Sequence, residues 1–91
     1  MIVSRGLVLV YQVLRTSRWL SVREVARDCP GVSASSVPRL VRCLAREGVL
    51  ERVELHEGYR YRLADPMPES ALPFVARLEE VAAVLSADAV S

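Results

Sequence analysis

The sequence predicts a single, mainly helical α+β domain in which three helices precede a β-hairpin and one further helix follows it. Three observations carry that prediction. Apolar residues recur at helical spacing over several separate stretches, serines and glycines stand where those helices start and stop, and the period changes to two between residues 49 and 63. A chain of 91 residues normally forms one domain that buries somewhat over half of its unfolded surface, which disfavours a two-domain enzyme. With 52% hydrophobic residues and a net charge of only +1, the composition is that of an ordered domain rather than a disordered tail.

In the first helix Leu7, Val10, Tyr11 and Leu14 follow the spacing of a half-buried face, with Ser4 as N-cap and Arg15-Thr16-Ser17-Arg18 as a polar close. The β-branched Val8 and Val13 leave a strand as the alternative. Ser21-Val22-Arg23-Glu24 is a capping box, so a second helix starts at position 22, and Pro30-Gly31 stops it after about two turns. The third helix begins within Ser33-Ala34-Ser35-Ser36 and runs to Glu47, where Gly48 ends it. Pro38 favours a late start, with Ser35 or Ser36 as N-cap, because there its missing N–H leaves no helical bond unmade; a kinked first turn is the other solution.

Beyond Gly48, residues 49–55 and 59–63 alternate apolar with charged, and His56-Glu57-Gly58 between them is a tight loop with glycine where a positive φ is expected. Asp65-Pro66-Met67-Pro68 breaks the pattern. A last helix is expected from about Ser70 to Leu85, with Leu72, Val75, Leu78, Val81, Ala82 and Leu85 on one stripe and Phe74 beside it. The expected organisation is thus a body at 1–64, a proline-containing linker at 65–69 and a C-terminal helix within 70–91.

Charge is distributed unevenly. Residues 1–64 hold eleven arginines against six carboxylates, a balance of +5, whereas residues 65–91 hold Arg77 against five carboxylates, a balance of −4. A basic body with an acidic tail suggests that the first part meets a polyanion. All twelve basic residues are arginine, which a GC-rich genome explains as well as selection does, so their position matters more than their identity. On a helical wheel Val37, Leu40, Val41 and Leu44 of the third helix cluster on one side, while Ser35, Arg39, Arg42 and Arg46 cluster on the other.

Gly31 to Arg52, GVSASSVPRLVRCLAREGVLER, resembles the DNA-binding segment of IclR-type and MarR-type bacterial repressors, and Leu20 to Ala26 is similar to their second helix. Gly58 to Ala64, GYRYRLA, resembles the second wing strand of IclR-type and Rrf-type regulators. The resemblance implies a winged helix-turn-helix, three helices plus a β-hairpin wing, here with an additional C-terminal helix. It implies a transcription regulator whose third helix enters the major groove of double-stranded DNA. Ser35, Ser36 and Arg39 would lie near base edges, with Arg39 the guanine reader, Arg42 a base or phosphate contact and Arg46 a phosphate contact. The wing would offer His56, Arg60 and Arg62 to the adjacent minor groove or backbone, with Tyr59, Tyr61 and Leu63 facing the core.

Nothing in the 91 residues resembles the effector domain of IclR proteins or the three-cysteine cluster of many Rrf-type regulators, so no small-molecule effector or cofactor is implied. Cys29, Cys43 and the single His56 are too few for a zinc site and read as two small buried thiols and a loop residue. No Ser/His/Asp set or phosphate loop suggests catalysis, and no stretch reads as a membrane anchor or secretory signal, so a cytoplasmic non-enzyme is expected. The alternative function is a winged-helix protein-interaction module, suggested by Glu51, Glu54 and Glu57 along the wing. The stripe Leu72, Val75, Leu78, Val81 and Leu85 needs cover, either from the first helix of its own chain or from its equivalent across a two-fold axis. A homodimer is the expectation.

Overall fold

The computed structural model describes residues 3–90, in the order α1 (Arg5–Leu14), α2 (Val22–Arg27), α3 (Val37–Arg46), β1 (Leu50–Leu55), β2 (Gly58–Leu63), a 3₁₀ turn (Glu69–Ala71) and α4 (Leu72–Val90). The local chemistry of each helix end follows from its residues. The Ser4 hydroxyl accepts from the Leu7 N–H, opening α1. At α2 the capping box closes in both directions, the Ser21 hydroxyl accepting from the Glu24 N–H at 3.1 Å and the Glu24 carboxylate accepting from the Ser21 N–H at 2.9 Å.

Ser36 is the N-cap of α3 and Pro38 falls within its first turn, the late start that proline favours. The Ser36 hydroxyl makes no capping bond and lies 2.9 Å from that of Ser33. Gly48 ends the helix with φ of +81°, a conformation that a side chain would resist.

The core gathers one face of each element. Val8, Val10 and Leu14 of α1, Val25 of α2 and Val37, Val41 and Leu44 of α3 are fully buried, closing a three-helix body. Each such side chain contributes about 1.5–3 kcal/mol by leaving water. The hairpin runs in register from Leu50 opposite Leu63 to Leu55 opposite Gly58, with His56 and Glu57 at the tip and Gly58 at φ +124°. A further pairing joins the wing to the body: Leu20 and Tyr61 exchange two backbone hydrogen bonds of 2.8 Å. β2 therefore lies between Leu20 and β1, and the segment entering α2 runs beside the wing.

α4 differs from its expected outline in two ways. It continues to Val90 instead of stopping near Leu85, and alanine, the best helix former, recurs through that last stretch. It also packs on its own chain along Phe74, Leu78 and Ala82, with Ala71 of the preceding turn, all buried, so that part of its apolar surface is covered from within the chain. The Tyr11 hydroxyl donates to Glu79 Oε1 at 2.7 Å, and Arg15 Nε donates to the same oxygen at 3.1 Å, fastening α4 to α1. Of the expected dimer stripe, Leu78 is consumed by this core, Val75, Val81 and Leu85 are half-buried beside it, and Leu72 is 49% exposed. The physical reason is a rotation: the line through Phe74 and Leu78 faces α1, and Leu72 sits away from that line.

Candidate nucleic-acid interface

The outward face of α3 carries Arg39, Arg42 and Arg46, all exposed, with Ser35 exposed ahead of them and Ser36 half-buried against Ser33. Val37, Leu40, Val41 and Leu44 hold the opposite face in the core, which fixes the rotation of the helix and hence the aim of the arginines. Among the described residues none of the three arginines forms an ion pair, although Arg15, Arg27, Arg60 and Arg62 each do. Three solvated guanidiniums along one helix face present fork-shaped donors that match oxyanions and guanine edges.

The wing departs from the expected arrangement. Arg60 Nη1 lies 2.5 Å from Glu24 Oε1, and Arg62 Nε lies 2.9 Å from Glu51 Oε2 while its guanidinium stacks 4.4 Å above the Trp19 ring. Both arginines are half-buried and neutralised instead of facing freely outward. The Leu20–Tyr61 pairing lays Trp19 and the start of α2 against the face of β2 that carries Arg60 and Arg62, and the hairpin register itself sets Glu51 directly opposite Arg62. Glu24 serves two partners at once. Its carboxyl is held below the usual carboxylate range, chiefly by the Ser21 backbone N–H, then by the Ser21 side chain, with Arg60 and Arg27 adding to the effect.

Tyr61 is buried as expected, Leu63 is half-buried, and Tyr59 is 43% exposed because it lies towards the projecting tip. His56 is exposed there between Leu55 and Glu57.

Arg52 was not singled out among the candidate residues. Its guanidinium stacks 4.3 Å above the Tyr59 ring, and with Leu50 and Tyr61 it forms the wing wall of a recess of about 430 Å³ whose other wall is Arg42, Ala45 and Arg46 of α3. The signal was present in the alternation: Leu50 points inward, so Arg52 two positions on shares its face. The cysteines take no part in this face. Cys29 is buried, which pushes its thiol pKa up, and both are free thiols.

The fold is similar to that of a MarR family protein from Bacillus stearothermophilus, with a TM-score of 0.61 over 100% of this chain at 20% sequence identity. This chain spans 61% of that protein's length. The likeness is one of fold, a winged helix with three helices, a two-stranded hairpin and a C-terminal helix. No protein-family model matches the chain, and no curated protein matches it. Among the described residues no helix is long and apolar enough to cross a membrane, and no three His, Cys, Asp or Glu side chains are grouped to hold a metal ion.

Proposed function

We propose that this protein is a transcription regulator that binds double-stranded DNA by inserting α3 into the major groove. The observation that carries this reading is the row Arg39, Arg42 and Arg46, solvated and free of carboxylate partners among the described residues, on a helix whose other face is locked in the core. Arg39, nearest the N-terminus of α3, reads a guanine, Arg42 meets a base or phosphate, and Arg46 meets a phosphate, with Ser35 and Ser36 beside the bases. The likeness to a MarR family protein supports the same reading at the level of fold. Selection of bound duplexes from a random pool tests it: enrichment of a defined site, abolished in a chain lacking the three arginines, is the expected result.

The dimer belongs to the same reading. With Leu78 committed to the chain's own core, a two-fold contact would use the outer side of α4, where Leu72 is 49% and Val84 60% exposed, together with the half-buried Val75, Val81 and Leu85. Two copies would then read paired half-sites. A protein-interaction role is the second reading, favoured by the neutralised wing arginines and the acidic Glu54 and Glu57 near the tip.

A further inference from the structure

We infer that the recess between the second half of α3 and the root of the wing is an oxyanion site for one DNA backbone phosphate, with Arg52 as its third guanidinium. The wing then grips the backbone from its root instead of inserting its tip into the minor groove. This rests on the duplex-binding reading and adds to it a residue, a ligand group and a mode of wing contact.

Three observations converge. Arg42 and Arg46 reach the recess from α3 and Arg52 from β1, no carboxylate lines it, and none of the three forms an ion pair among the described residues. Stacking on Tyr59 orders Arg52 without neutralising it, leaving its fork of donors for an incoming anion. The tip, by contrast, is unsuited to a groove walled by phosphates. Glu54 and Glu57 are exposed around His56, and the nearby Arg60 is already bound to Glu24. A phosphodiester carries one negative charge on two unesterified oxygens, which forked guanidiniums on opposing walls can share.

Two arms test this on the full-length chain. In the first, Arg52→Gln is compared with wild type on cognate and unrelated duplexes. The expected result is a loss on the order of tenfold that is the same on every sequence, with the salt slope flattened by about one. Glu57→Gln and His56→Ala at the tip are expected to leave sequence preference unaltered. In the second, inorganic phosphate is titrated into the free protein at constant ionic strength. The guanidinium N–H resonances of Arg42, Arg46 and Arg52 should move together, and those of Arg42 and Arg46 should lose most of that response in Arg52→Gln.

A duplex-binding chain indifferent to Arg52→Gln overturns the inference and leaves the proposed function standing. A change of base preference in His56→Ala overturns the root-grip mode. If wild type binds no duplex at low salt, the backbone source falls with the proposed function, and a phosphate response then identifies the recess as a site for a free phosphate group.

Discussion

Arg39 and Arg46 lie on one face of one helix, yet their positions along it assign them different partners. A guanidinium bidentate to guanine discriminates bases, whereas one on a phosphate does not. Arg39→Ala is expected to cost on the order of 1–3 kcal/mol on the cognate site and to relax preference at one position. Arg46→Ala should weaken all sequences about alike. Affinity measured on the cognate duplex and its single-base variants distinguishes them, and a uniform loss from both would make Arg39 a phosphate contact. Glu24 is the other residue with a distinct role, since one carboxylate caps α2 and holds Arg60 of the wing. An acid whose folded pKa is depressed stabilises the fold above its unfolded pKa, and that contribution is lost as pH falls through the folded value. Acidification from neutrality to well below the ordinary carboxylate range should therefore loosen the wing from α2, read from the Ser21 and Arg60 amide shifts, with the local step absent in Glu24→Gln.

The helix termini were legible because their chemistry is local. Ser4, the Ser21–Glu24 box and Gly48 act within a few residues of themselves, and Ser21→Ala should cost about 0.5–2 kcal/mol of stability by orphaning a backbone N–H. The fate of Arg60 and Arg62 was not legible, because alternation gives their side of the strand but not what covers it. The Leu20–Tyr61 pairing, between residues far apart in sequence, supplies that cover. Arg52 could have been found from the same alternation, since its parity with Leu50 turns it towards α3. In α4 the periodicity was clear and the contact line was not: Leu72 and Phe74 lie on different sides of the helix, and only docking against Tyr11 and Arg15 selects the line through Phe74 and Leu78. Leu78→Ala should cost about 2–5 kcal/mol through the cavity it leaves, measured by denaturant unfolding. A loss below 1 kcal/mol would mean that α4 contributes little to the core.

Across the whole molecule the basic body and the acidic C-terminal segment are joined through the Tyr11–Glu79–Arg15 contact, which holds α4 against α1. Light scattering at tens of micromolar should give a mass about twice the 10.1 kDa of one chain, and Leu72→Glu with Val84→Glu should return it to one chain without unfolding it. A single-chain mass for the wild type would contradict the dimer while leaving the DNA face untouched. That face is tested most directly by titrating mixed-sequence duplex DNA with the full-length protein across a range of salt. Each neutralised phosphate releases condensed counterions, so the logarithm of affinity should fall linearly with the logarithm of salt, with a slope of roughly −0.9 per phosphate contact. Replacing Arg39, Arg42 and Arg46 together should abolish binding in a chain that still unfolds cooperatively. No binding by the wild type at low salt and micromolar protein would contradict the assignment of α3 to DNA and favour a protein partner instead.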